Sequence, residues 1–253
     1  MDRLIEFVAL YVPGKCYGPE YIDFIVGQVD RGYSGPKRWT FLTNAEQEPS
    51  TWPIRGHQCR AIPLAEPWDI RILRPGHAER TPYWCFSKLE AFRPDLDFGD
   101  RAVLTDLDNF VVGPLDDLLG YAGDFAARQN FAAAETQRLR GSRWQSSWVQ
   151  YRPAACHDLW DEAREIGEGL HEYFVPLMGG GDQAFLSWFR PCPDSPQVES
   201  GWPLGDDLDV LYPGQLASYK WGWLQARAED RARMRVLYAH GKPKPHELNW
   251  RVA

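Results

Sequence analysis

Residues 103–119 read Val-Leu-Thr-Asp-Leu-Asp-Asn-Phe-Val-Val-Gly-Pro-Leu-Asp-Asp-Leu-Leu, and the rest of the chain is read outward from them. Residues 101–105 form a short apolar run of the kind that fills a buried strand. The run ends in Asp106 and Asp108, two carboxylates at i and i+2. Extended backbone points alternate side chains to one face, so Asp106 and Asp108 are expected to share a face while Leu107 turns to the core. Carboxylates leaving the carboxyl end of a parallel strand lie where open α/β sheets bind ligands. Two hard oxygen ligands there suit Mg2+ or Mn2+, above all an ion shared with a phosphate. The same residues have a plainer reading, in which one Asp caps the following turn and the other is solvated.

Upstream of this stretch, strand and helix signals alternate. Residues 4–12 are a buried strand by their Val, Ile, Phe and Tyr content, and residues 19–29 place Ile22, Ile25, Val26 and Val29 at helical spacing. Residues 38–42 and 59–64 read as strands, and residues 83–92 as a helix carrying Trp84, Lys88, Leu89 and Phe92. That alternation predicts an α/β fold with a mostly parallel central sheet. Beyond residue 114 the rhythm is less regular. Strands are expected at 124–128, 147–152, 208–212 and 234–239, and helices at 155–166 and 182–189, the latter behind Gly179-Gly180-Gly181. Residues 191–214 are expected to be loop around the short strand at 208–212. With no repeat, low-complexity segment or clear linker, one domain is expected.

The composition bounds the function. The 253 residues carry 28 Lys and Arg against 35 Asp and Glu, a net charge of −7. A protein that lives on nucleic acid normally presents a basic face, so no nucleic-acid partner is expected. A small anionic ligand remains open, because a local basic cluster can outweigh the global sign. Five widely spaced cysteines without a CxxC pair signal neither a zinc ribbon nor a disulfide framework. With no apolar run of membrane-spanning length and no leader-like start, the expectation is a soluble cytoplasmic protein. Twelve Trp residues are either core or platforms for sugar rings, and composition does not choose between them.

A second cluster closes the chain: His240-Gly241-Lys242-Pro243-Lys244-Pro245. A histidine at a strand end, a glycine permitting close approach and two lysines stiffened by prolines make a cationic edge fit for a diphosphate. Alone it is equally a basic tail with an interfacial histidine. Taken together, the acidic cluster needs a cation and the basic cluster an anion, and a metal diphosphate supplies both.

With these motifs in view the chain resembles the metal-dependent GT-A glycosyltransferases, in particular the glycogenin-like and lipopolysaccharide galactosyltransferase-like branch and its bacterial relatives. The matching pieces are residues 10–22, 41–44, 84–95, 103–119, 146–153, 179–189, 218–221 and 240–247, in family order over nearly the whole chain. The resemblance implies a single GT-A domain, with residues 1–114 as the nucleotide-binding half and 115–253 as the acceptor half. It implies that Asp106, Asp108 and His240 hold Mn2+ or Mg2+ bridging the phosphates of a nucleotide sugar, UDP-linked by expectation. Tyr11, Val12, Leu107, Lys88, Gly241 and Lys244 would bind the donor, and Asp182 and Gln183 would lie beside the transferred sugar. The family kin retain anomeric configuration, so retention is expected. The acceptor, a glycan, lipid-linked or protein group, is left open.

The chain departs from its kin in three places. His240 abuts Gly241 directly, His246 follows Lys-Pro where many kin have Trp, and Trp148 stands where kin often have glycine, either narrowing the sugar pocket or packing in the core. Other polar groups carry plainer expectations. Asp116 and Asp117 are expected to cap a short helix, Asp206, Asp207 and Asp209 to lie in a solvated loop, and His157 and Asp161 to be surface. Arg227, Arg231, Arg233 and Arg235 either approach an anionic acceptor or form a solvated face; Tyr219, Lys220, Trp221 and Trp223 either stack on sugar or pack. A noncatalytic binder of nucleotide sugar or glycan on the same fold is the competing function, with a metal-dependent phosphohydrolase behind it. The absence of a P-loop, GxGxxG or GxSxG removes support for other nucleotide and hydrolase chemistries.

Overall fold

The structure is a computed structural model describing residues 3–13, 17–44, 54–57, 59–66, 71–73, 80–82, 84–130, 143–174, 181–239 and 243–251. Its centre is a seven-stranded sheet. In chain order the strands are β1 (Ile5–Tyr11), β2 (Lys37–Thr43), β3 (Cys59–Pro63), β6 (Ala102–Thr105), β8 (Phe125–Gln129), β9 (Trp144–Tyr151) and β10 (Asp206–Asp207); β4 (Arg71–Leu73) and β5 (Arg80–Pro82) pair separately as a hairpin. The spatial order is β10-β8-β9-β6-β1-β2-β3. β1 runs parallel to β2 and β6, β2 to β3, and β10 to β8, while β9 lies antiparallel to both β6 and β8. The expected mostly parallel α/β sheet is present.

Both faces of the sheet are covered, which is why its strands read as continuous apolar runs. Phe7, Ala9, Phe41 and Val103 face one core with Ile22, Ile25, Val26 and Val29 of helix α1 (Glu20–Gly32). A Cβ on Gly32 would stand 2.6 Å from Val111 Cγ1, so the helix ends where only glycine lets it approach the next layer. Val8, Leu42 and Leu104 face the opposite core, built with Phe86, Leu89 and Phe92. Residues 83–92 were expected to be helical, and Trp84–Phe92 is a 3₁₀ helix. The spacing of Phe86, Leu89 and Phe92 explains the type: residues three apart eclipse in a 3₁₀ helix and form one buried ridge.

A second sheet of three strands has the order β11 (Leu216–Ser218), β12 (Val236–Tyr238), β7 (Phe110–Val111). β7 begins directly after the Asp106–Asn109 segment, and its antiparallel partner β12 leads into the final segment of the chain. This small sheet brings the two ends of the candidate site together. Its own core is Phe110, Tyr219, Met234 and Leu237.

Several expectations are corrected. The strand expected at 208–212 is the helix Leu208–Leu211, preceded by the two-residue strand β10. Asp207 caps that helix by accepting from the Asp209 backbone N–H at 2.8 Å. Asp206 accepts from the Tyr121 hydroxyl at 2.7 Å, and Asp209 pairs with Arg128 at 2.7 Å, so these three are structural rather than solvated. The short helix Asp116–Leu119 starts from Leu115 with no side-chain cap, so Asp116 and Asp117 sit inside its first turn. Arg231 and Arg235 are tied to backbone carbonyls of residues 223, 224, 232 and 234, whereas Arg227 is exposed beside Glu229. Tyr219 packs in the core, while Trp221 is exposed. Among the described residues no helix is long and apolar enough to cross a membrane.

Candidate functional site

β6 ends at Thr105, and Leu107 and Asp108 form a turn rather than a continuation of the strand. Asp106 and Asp108 nevertheless reach the same cluster, and Leu107 is buried in the core between them. Asn109 locks the turn: its side-chain amide donates to Thr105 Oγ1 at 3.0 Å and to the Ser147 carbonyl at 2.6 Å. The Asp106 N–H donates to that same carbonyl at 3.0 Å. Ser147 can do this because β9 is irregular here. Ala127 opposes Val149, but the next residue, Arg128, opposes Gln145, so residues 146–148 are surplus on that side. Bulged strands re-aim side chains beside functional sites. Here the irregularity also puts Trp144 and Trp148 into different cores despite their even spacing. Trp148 is fully buried against Phe7, so it is core and lines no sugar pocket.

Lys88, from the 3₁₀ helix, lies between two carboxylates. Its ammonium is 2.5 Å from Asp106 Oδ1 and 3.7 Å from Asp182 Oδ2, with the Ser146 hydroxyl at 3.4 Å. Burial disfavours the Lys88 charge, yet Asp106 and Asp182 more than compensate, and its pKa lies above the ordinary lysine value. Burial likewise works against the Asp106 charge, but Lys88 overcomes it and holds the carboxyl below its usual range. Asp182 stands in the first turn of the helix Gly181–Phe189. Burial pushes its carboxyl up against the pull of Lys88, and its Oδ2 accepts no hydrogen bond.

Asp108 is served from the other end of the chain. The Lys244 ammonium donates to Asp108 Oδ2, and the Tyr17 hydroxyl donates to the same oxygen at 2.9 Å. Lys244 also donates to the Tyr17 hydroxyl at 3.0 Å and to the Ala239 carbonyl at 3.3 Å. Burial raises the Asp108 carboxyl above its ordinary range against Lys244, and the nearby Asp106 charge adds to the rise. Lys244 is placed by the short 3₁₀ turn Pro245–Leu248, where Glu247 accepts from the Lys244 N–H at 2.7 Å. His246, in the position of the family's Trp, bonds the Tyr21 hydroxyl through Nδ1 and packs beside Trp250. His240 and Gly241 lie outside the described residues.

Gln183, next to Asp182, has its amide fixed on both sides. Asn130 donates to its Oε1 at 3.3 Å, and its Nε2 donates to Gln145 Oε1 at 2.5 Å. Tyr11 is buried at the end of β1 and Val12 is half-buried just beyond it. The structure thus gathers Asp106, Asp108, Lys88, Lys244 and Asp182 into one charged cluster. Sequence reasoning did not single out Tyr17, Ser146, Gln145 or Asn130. Tyr17 and Ser146 lay within matched stretches but carried no pattern of their own.

A divalent ion fits the donor chemistry. Mg2+ and Mn2+ are commonly held by one or two carboxylates with substrate phosphates completing the shell, and Asp106 and Asp108 supply that pair. Among the described residues no group of three or more His, Cys, Asp or Glu is placed to hold a metal by protein ligands alone.

In fold the chain is similar to the galactosyltransferase LgtC in complex with donor and acceptor sugar analogs, with a TM-score of 0.65 at 15% identity, covering 95% of this chain and 88% of that one. An active-site mutant of LgtC gives a TM-score of 0.66 at 13% identity, over 95% and 89% of the two chains. The glycosyltransferase GlyE of Streptococcus pneumoniae TIGR4 matches with a TM-score of 0.53 at 15% identity, over 96% of this chain and 56% of GlyE. At such identities the likeness is one of fold, and the fold is that of the GT-A glycosyltransferases. No protein-family model and no curated protein sequence matches the chain.

Proposed function

We propose that this protein is a metal-dependent glycosyltransferase that moves a sugar from a nucleotide-diphosphate donor, UDP-linked, to an acceptor hydroxyl with retention of anomeric configuration. The observation that carries the reading is the convergence of Asp106 and Asp108 with Lys88, Lys244 and Asp182 at the carboxyl end of β6, on a glycosyltransferase fold. Residues 1–114 form the donor half and residues 115–253 the acceptor half.

In transfer, the bond from the anomeric carbon to the phosphate oxygen breaks, and its electron pair leaves with the diphosphate. The acceptor oxygen bonds to that carbon and gives up its proton. Asp106 and Asp108, with His240, would hold a divalent ion, which when bound stabilises charge on the departing diphosphate. Lys244 and Lys88 add positive charge on the same side, where it helps most as the leaving group becomes more negative. Asp182, buried and short of donors, is suited to face the positive charge that develops on the sugar. Gln145 and Asn130 hold the Gln183 amide in one orientation beside it. Tyr11, Val12, Leu107 and Gly241 complete the donor set.

Thermal melts with UDP, GDP, ADP and CMP, each with and without Mn2+, test the reading. A ligand that binds only the native state raises the melting temperature with its occupancy. UDP with Mn2+ is expected to give a shift that neither gives alone. No shift with any nucleotide at millimolar ligand and metal overturns the donor site.

A further inference from the structure

Three carboxylates, Asp106, Asp108 and Asp182, face two ammonium groups, Lys88 and Lys244, so the cluster carries one formal negative charge. A divalent cation placed on Asp106 and Asp108 stands next to both ammonium groups. Their repulsion opposes it, as does the cost of depriving half-buried lysines of their partners. A nucleoside diphosphate alone meets the opposite difficulty, because its phosphates approach three carboxylates. When the two arrive together the costs cancel: the phosphate oxygens accept from the ammonium groups, and the ion takes the carboxylates they leave.

We propose that Lys88, Lys244 and Tyr17 form a charge-compensating latch that makes the divalent ion and the nucleoside diphosphate bind as a coupled pair, each raising the site's affinity for the other. Tyr17 is the new member. Its hydroxyl donates to Asp108 at 2.9 Å and accepts from Lys244 at 3.0 Å, so it holds the carboxylate in place whichever cation is there. Its ring lies 5.3 Å from the same ammonium and gives Lys244 a second partner once it leaves Asp108. The inference rests on the donor-site reading above.

Calorimetric titration with MnCl2 and UDP, without any acceptor, tests it. In the wild type, saturating UDP is expected to tighten Mn2+ about tenfold or more, and saturating Mn2+ to tighten UDP by the same factor, since binding linkage is reciprocal. Lys244→Met is expected to bind Mn2+ alone severalfold more tightly than the wild type, with the tightening by UDP reduced to about threefold or less. Lys244→Gln, which keeps a donor for Asp108, and Tyr17→Phe should move both quantities the same way by less. Melting curves confirm that each variant is folded. The latch is overturned if both ligands bind the wild type without affecting each other, or if Lys244→Met and Lys244→Gln hold Mn2+ alone no more tightly than the wild type. Failure of the wild type to bind either ligand in any combination overturns the donor-site reading itself, and the latch with it.

Discussion

Asp108 shows how a single carboxylate is kept usable in a nearly closed setting. Its side chain is 6% exposed, and a bare charge there would be costly, yet Lys244 and Tyr17 satisfy it from one direction. Removing the carboxylate leaves Lys244 with Tyr17, the Ala239 carbonyl and partial access to water, so the fold should survive. Asp108→Ala is therefore expected to reduce sugar transfer by about 10²-fold or more, the scale set by losing a group that holds transition-state charge. Far-UV circular dichroism should be unchanged. Wild-type turnover in that variant would remove Asp108 from the mechanism. At this scale the residue identities were legible: Asp106, Asp108, Lys88, Lys244 and Asp182 all stood out in the sequence. Their pairing was not, because which lysine meets which aspartate depends on elements far apart in the chain.

The elements that aim these groups were legible in unequal measure. β1, α1 and β2 follow directly from apolar periodicity, since each buries a face whose spacing is visible in the sequence. Trp84–Phe92 carries the same kind of signal, but the difference between α and 3₁₀ rests on which of its apolar residues find a buried ridge to fill. β9 was the hardest to read. All eight of its residues are buried, so no alternation marks its faces, and its pairing irregularity is invisible without the neighbouring strand. Trp148 illustrates the consequence. It fills the core beneath the sheet, so Trp148→Gly is expected to lower stability by about 3–5 kcal/mol, the usual cost of emptying a large buried aromatic site. Urea denaturation checks this. A stable variant with an altered choice of donor sugar would instead place the indole at the pocket.

At the scale of the whole molecule, the described cysteines belong to stability rather than chemistry. Cys156 and Cys192 are fully buried, and burial pushes both thiols up to about 12 from the usual 9.0. The folded protein therefore keeps protons that the unfolded chain releases above pH 9. The stability they contribute is fully present below the unfolded value and is lost as pH rises toward the folded one. Urea midpoints should fall with rising pH between 9 and 11, and less steeply in the Cys156→Ala, Cys192→Ala double variant. An identical slope in that variant would assign the loss to other groups.

The sequence by itself determined the α/β class, the strand ending in Asp106-Leu107-Asp108 and the basic segment containing Lys244, because burial periodicity and charge spacing are local properties of the chain. It misread 208–212 as a strand, since four residues such as Leu208–Leu211 carry no period long enough to distinguish helix from strand. Only the tertiary structure decided that Tyr17 and Lys244 serve Asp108, that Lys88 stands between Asp106 and Asp182, and that Trp148 is core. Those contacts are made by the docking of β7 on β12 and by the irregular pairing of β9 with β8, long-range events whose energy lies in packing that no single stretch of the chain contains.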